Sequence, residues 1–187
     1  LENVIDMAAI RDAGVKIGID PLGGAAVGYW KPIVEKYGLN ATIVSDVVDP
    51  QFAFMTADWD GQIRMDCSSP YAMARLIKMG QDFDVAFAND TDADRHGIVA
   101  MPDGLMNPNH SLAAAVSYLF QNRPDWKPAL CAGKMPVSTG LIARVVAEIA
   151  CTLADVPGGP TVFVPALITG SRGVLGDALA VATSLGR

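Results

Sequence analysis

Phe83-Asp84-Val85-Ala86-Phe87-Ala88-Asn89-Asp90-Thr91-Asp92-Ala93-Asp94-Arg95-His96-Gly97 is the stretch that decides how this chain is read. Apolar Phe83, Val85 and Phe87, with small Ala86 and Ala88 between them, predict a buried strand. The strand runs straight into aspartates at alternate positions. In an extended or gently curved loop, side chains two residues apart point the same way, so Asp90, Asp92 and Asp94 can converge on one point. Carboxylates held that close repel one another unless a cation sits between them. Hard oxygen ligands select Mg²⁺, Ca²⁺ or Mn²⁺ over zinc. Against a divalent ion, three aspartates leave one negative charge in excess, and Arg95 is placed to offset it. A solvated acidic turn is the plain alternative, but it needs neither the strand upstream nor the arginine downstream. An EF-hand would use Asp90, Asp92 and Asp94 as its first ligands. It fails where its loop requires glycine, since Arg95 stands there, and where it requires a bidentate glutamate, since Met101 stands there.

The rest of the composition narrows the field. The chain has 187 residues, 51% hydrophobic and 18% charged, enough for one domain or two small ones with a real core. Its net charge is −6, and with no basic run nucleic acid is not an expected partner. Cys67, Cys131 and Cys151 are odd in number, far apart and outside any C-x-x-C, which fits buried thiols in a reducing cytoplasm. No apolar run approaches the roughly 18 residues that would span a bilayer. The chain begins at Leu1 with no visible signal peptide, and a fragment is expected on that ground.

Upstream of the aspartates, Val4 to Ala13 reads as a short helix stopped by Gly14, and Val15 to Asp20 as a strand. Pro21-Leu22-Gly23-Gly24 turns into a helix from Ala25 to Tyr37, ended by Gly38, and Thr42-Ile43-Val44 is the next strand. That order predicts a right-handed βαβ unit in a largely parallel sheet. Gly23-Gly24 could cradle a phosphate at the helix start, but glycines there more often serve only the sharp turn and close packing. No nucleotide-binding glycine fingerprint is present. Asp49 to Pro70 forms a long connection of the kind that contacts a ligand or a partner. Ser69 is a natural N-cap with Pro70 at the first helical position, predicting a helix to about Met79; capping accounts for Ser68 and Ser69 better than nucleophilic chemistry.

After the aspartates, His96 to Ala100 reads as a strand and Pro102-Asp103-Gly104 as a turn, with a domain boundary between about Asp103 and Asn107. Asn107 opens a helix through Phe120 with Leu112, Val116, Leu119 and Phe120 on its apolar face. Pro128 to Met135 is a strand carrying Lys134, and Ser138 or Thr139 caps a helix to about Leu153. A lysine at the end of a strand stands where α/β sheets place ligand contacts, with a solvated edge lysine as the alternative.

Asn89-Asp90-Thr91-Asp92-Ala93-Asp94-Arg95-His96-Gly97 resembles the D-x-D-x-D-R metal loop of the α-D-phosphohexomutases, and among them most the bacterial phosphoglucomutases. Met65-Asp66-Cys67-Ser68-Ser69-Pro70-Tyr71-Ala72-Met73, Leu105-Met106-Asn107-Pro108-Asn109-His110 and Val156-Pro157-Gly158-Gly159-Pro160-Thr161-Val162-Phe163-Val164 resemble the same family. The resemblance implies a three-layer αβα domain with a mixed, largely parallel sheet over residues 1–104, the family's second domain. It implies an incomplete second αβα domain over 105–187, part of the family's third. It further implies Mg²⁺ held by Asp90, Asp92 and Asp94, with Arg95 steadying phosphate oxygens and Lys134 near the sugar phosphate. His96 would shape the loop or simply pack as a neutral ring.

The reaction so implied interconverts glucose 1-phosphate and glucose 6-phosphate through a phosphoserine and an enzyme-held glucose 1,6-bisphosphate. The family's sugar loop reads G-E-E-S-x-G; here Gly176-Asp177-Ala178-Leu179-Ala180-Val181 stands in its place, leaving only Asp177 acidic. No T-A-S-H-N phosphoserine loop occurs, and the phosphate-gripping fourth domain is not in this sequence. The expectation is therefore a truncated or scrambled piece that is inactive without domains I and IV. A non-catalytic metal- or partner-binding remnant and a phosphomannomutase are the alternatives. A haloacid-dehalogenase-type phosphatase wants Thr or Val two residues past its second aspartate, where this chain has Asp94.

Overall fold

A computed structural model describes residues 5–122, 131–134, 139–149 and 152–155. The chain divides into two compact units, meeting between Met106 and Asn107.

The first unit is built on the strand that precedes the aspartates, β3 (Val85–Asn89). It lies beside β1 (Ile17–Asp20), parallel to it, and β1 lies in turn beside parallel β2 (Ala41–Ile43). On the other side β3 turns back into antiparallel β4 (His96–Ala100), which pairs with the short β5 (Gly104–Leu105). The sheet order is β2-β1-β3-β4-β5, so the expected parallel βαβ unit carries an antiparallel extension. All four residues of β1 are buried, as a central strand covered on both faces requires.

Side chains alternate along β3, and the two faces meet different helices. Phe87 and Asn89 meet Trp30 of α2 (Val27–Tyr37): its ring stands edge-on to Phe87 at 5.0 Å between centroids, and its Nε1 donates to Asn89 Oδ1 at 3.0 Å. Ala86 and Ala88 face the other way, into a core with Leu22, Cys67, Met73, Phe83, Val99 and Leu76 of α3 (Ala74–Lys78). Helix α1 (Met7–Asp12), capped by Asp6, packs with α2. Helices thus cover both faces of a mixed sheet, the three-layer αβα arrangement.

One expected helix start moves. The helix expected from Pro70 begins at Ala74. Ser69 Oγ does accept the Tyr71 amide at 3.2 Å, but Met73 bonds back four residues to Ser69 and Ala74 only three to Tyr71, so the segment winds through tighter turns first. The division after Met106 lies within the span from Asp103 to Asn107 where the boundary was expected. Leu105 pairs with Val99, and the Met106 amide donates to the Ile98 carbonyl at 2.8 Å, so both belong to the first sheet.

The second unit holds α4 (Pro108–Gln121), capped by Asn107 Oδ1 on the Asn109 amide at 2.9 Å. Strand β6 (Cys131–Lys134) is parallel to β7 (Thr152–Asp155), with α5 (Gly140–Glu148) between them in sequence, capped by Thr139. The helix expected to reach Leu153 ends at Glu148, and Leu153 pairs with Ala132 in the sheet. Leu112, Val116, Ala132, Ile142 and Val146 form the core of this unit.

Candidate metal centre

Strands β1 and β3 are parallel, so the loops that leave their carboxyl ends emerge at one edge of the sheet. Asp90 to Arg95 is the loop after β3. Asp90 is completely buried, whereas Asp92 and Asp94 are exposed. Ligand oxygens of the three aspartates lie within 4.8 Å of one another, and among the described residues they are the trio able to hold a metal ion.

The loop is closed on Asp90. Its Oδ1 accepts the Arg95 amide at 3.0 Å, its Oδ2 accepts Arg95 Nε at 2.5 Å, and its backbone carbonyl accepts the Ala93 amide at 3.1 Å. Ala93 takes the left-handed φ of 63° that the return requires. Arg95 Nε also reaches Asp94 Oδ1 at 3.3 Å. Arg95 therefore neutralises part of the carboxylate charge from inside the loop. Partial desolvation and the neighbouring Asp90 and Asp92 push the Asp94 carboxyl above its ordinary value, outweighing Arg95. His96, at the start of β4 opposite Asn89, has its pKa lowered by partial loss of water around the ring.

The donor set fits a hard divalent cation. Opposite oxygens in an octahedral Mg²⁺ site stand about 4.2 Å apart, and Ca²⁺ accepts a slightly wider spacing. Separations within 4.8 Å bring the three oxygens near enough to close onto such an ion, around which neighbouring oxygens stand about 3.0 Å apart. All-carboxylate chemistry points the same way.

Gly23-Gly24 serves packing. Gly23 has φ +67°, and a Cβ on Gly24 would lie 2.4 Å from the Thr91 carbonyl oxygen, leaving no room for a ligand against that atom. Ser68 Oγ donates to Asp66 and Ser69 Oγ to Asp58, so both hydroxyls are engaged locally. Lys134 closes β6, in register with Asp155, within the second unit; its side chain and the whole of Asp177 lie outside the described residues. The sequence reading missed Asp20, which is fully buried at the carboxyl end of β1 and takes two hydrogen bonds from Arg75, at 2.7 and 2.8 Å. A charged residue closing the apolar run Ile17-Gly18-Ile19 was the available signal.

The model of the phosphoglucomutase/phosphomannomutase α/β/α domain II matches residues 1–103. The chain belongs to the phosphoglucomutase/phosphomannomutase family. A phosphoglucomutase of Komagataeibacter xylinus is 62% identical over 187 residues, all of this chain and 34% of that protein. The chain thus spans about a third of the length of the curated relative it matches. A Thermus thermophilus protein assigned to the phosphomannomutases superposes with a TM-score of 0.70 at 20% identity, over 98% of this chain and 44% of its own. A phosphoglucomutase/phosphomannomutase family protein from Burkholderia thailandensis gives 0.66 at 19% identity, over 91% of this chain and 38% of its own. At such identities the structures establish the fold of this family member. Among the described residues no helix is long and apolar enough to cross a membrane.

Proposed function

We propose that this chain is the metal-bearing part of a cytoplasmic phosphoglucomutase, which interconverts glucose 1-phosphate and glucose 6-phosphate through a phosphoserine, Mg²⁺ and a bound glucose 1,6-bisphosphate. The observation that carries the reading is the convergence of Asp90, Asp92 and Asp94 at the carboxyl end of β3. Those three side chains would hold Mg²⁺, which when bound supplies Lewis-acid polarisation of a phosphoryl group. Buried Asp90 anchors the loop, and exposed Asp92 and Asp94 face the water from which ion and substrate arrive.

Arg95 bonds to Asp90 and Asp94 through Nε alone. Among the described residues its two terminal nitrogens carry no bond, which leaves them for phosphate oxygens as charge-assisted donors. Phosphoryl transfer asks a protein chiefly for positioning and charge neutralisation, and this loop offers both. Lys134 would contact the sugar phosphate and Asp177 a sugar hydroxyl. The phosphoserine loop and the phosphate-gripping domain would come from domains I and IV, so the chain by itself does not turn over.

Calorimetric titration of the purified chain with MgCl₂ is expected to show binding that Asp92→Asn abolishes without unfolding, since Asp92 is exposed. Absence of Mg²⁺ binding by the wild-type chain overturns the reading. A coupled assay for glucose 6-phosphate is expected to stay silent with the chain alone and to respond when the remaining domains are added in trans. Silence there as well would favour a non-catalytic metal-binding remnant, and faster formation of mannose 6-phosphate from mannose 1-phosphate would make the parent a phosphomannomutase.

A further inference from the structure

The aspartate loop does not hold its shape unaided. Its carboxylates repel one another, two of the three are exposed, and nothing within the loop fixes Thr91, the residue between Asp90 and Asp92. What fixes Thr91 is the neighbouring loop at the same sheet edge, the turn after β1. The Ala25 amide donates to the Thr91 carbonyl at 2.8 Å. Gly24 lies so close that a Cβ there would sit 2.4, 2.7 and 2.9 Å from the oxygen, Cα and carbonyl carbon of Thr91. These are backbone atoms, which no rotamer change can move aside.

That turn is itself held from below. Asp20 Oδ1 accepts the Leu22 amide at 3.0 Å and Arg75 Nη2 at 2.7 Å, while its Oδ2 accepts Arg75 Nε at 2.8 Å. Leu22 and Gly23 both adopt left-handed φ values, 44° and 67°. For Leu22 that conformation is unfavourable and persists only where its surroundings enforce it. The Arg75 guanidinium rests 4.7 Å above the ring of Phe54, and a Cβ on Gly23 would come within 2.9 Å of that same ring. A chain of contacts therefore runs from Arg75 through Asp20 and the Leu22-Gly23-Gly24 turn to Thr91.

The geometry points to the buried Asp20–Arg75 pair and the turn it shapes as the positioning device of the aspartate loop, setting the spacing of Asp90, Asp92 and Asp94 for a divalent cation without touching the ion. This rests on the metal reading above and assigns a role to residues outside the loop.

The test uses the full chain and two readouts: Mg²⁺ affinity by calorimetry, and hydrogen exchange of the peptide covering residues 89–96 without metal. Outer contacts of this kind are worth about 10- to 100-fold in metal affinity. Gly24→Ala and Arg75→Ala are each expected to weaken Mg²⁺ binding by at least about tenfold and to speed exchange in the loop, with Arg75→Lys recovering part of both. Leu76→Ala, which loosens the same core but removes none of these hydrogen bonds, is expected to lower the melting temperature and leave Mg²⁺ affinity unchanged. Asp20→Asn tests the pair from its other side. If it fails to fold, Gly24→Ala still decides, because it leaves the ion pair intact. A folded Gly24→Ala chain with wild-type affinity and wild-type loop exchange overturns the positioning role. If the wild-type chain binds no Mg²⁺, the metal reading falls, and unchanged loop exchange in Gly24→Ala and Arg75→Ala would then sink the positioning role separately.

Discussion

Cys67 shows how strongly one residue's chemistry is set by where its backbone runs. It is 1% exposed, and its carbonyl oxygen lies against Gly97 at the start of β4. Burial, with Asp90 and Asp66 adding negative potential, pushes its thiol up to about 12. A free thiol in the unfolded chain ionises near 8.5. Between those values the unfolded chain has given up a proton that the folded chain retains, so stability falls as pH rises, by about 1.4 kcal/mol per pH unit for this group. At pH 8 the native thiol is both protonated and inaccessible. Iodoacetamide at pH 8 is therefore expected to leave Cys67 unmodified in the native chain and to alkylate it in urea, read by mass on the tryptic peptide Met65–Arg75. Rapid alkylation of the native chain would contradict this placement. The aspartates make a related point: equal in the sequence, they divide into one buried anchor, Asp90, and two exposed ligands. Spacing alone announced the trio; which member is buried depends on Arg95 folding back over it, a contact that sequence periodicity does not carry.

At the scale of elements, the β3–β4 hairpin is locked by a glycine that no turn requires. A Cβ on Gly97 would lie 2.3 Å from the Cys67 carbonyl oxygen and 3.0 Å from Cys67 Cβ. Gly28, inside α2, has open space where its Cβ would go. Gly97→Ala is expected to destabilise the first unit by roughly 3 kcal/mol, the upper end of overpacking costs, because backbone must move. Gly28→Ala is expected to be neutral or to stabilise by up to about 1 kcal/mol, the helix propensity difference. Urea unfolding followed by tryptophan fluorescence measures both, and equal stabilities for the two variants would refute the close approach. The elements legible in the sequence were those with local signals: the apolar run ending in β3, the Gly38 stop of α2, and the Asn107 and Thr139 caps of α4 and α5. Those misjudged lack such signals. The end of α5 at Glu148 is decided by Thr152–Asp155 pairing with Cys131–Lys134 about 20 residues away. The run from Val145 to Leu153 is apolar enough to read as continuing helix. Likewise the late start of α3 depends on which carbonyl each amide finds, not on Ser69-Pro70 as a cap signature.

At the scale of the whole molecule, each unit has a core of its own, and the family's domain II accounts for the first. A domain of this size buries enough surface to fold alone. The aspartate loop, its Arg95 and the Asp20–Arg75 pair all lie within the first unit, so both folding and metal binding should survive without the second. Where the cut is made matters. Leu105 packs against the first core and pairs with Val99, and the Met106 amide bonds Ile98. A chain ending at Gly104 loses these contacts and bares the edge of β4. Residues 1–106 are expected to unfold in one cooperative transition, reported by Trp30 and Trp59, and to bind Mg²⁺ as tightly as the full chain. Residues 1–104 are expected to be less stable by about 2 kcal/mol, the burial lost with one leucine. A 1–106 chain without a cooperative transition would show that the first unit depends on the second, and equal midpoints for the two truncations would remove β5 from the structural account.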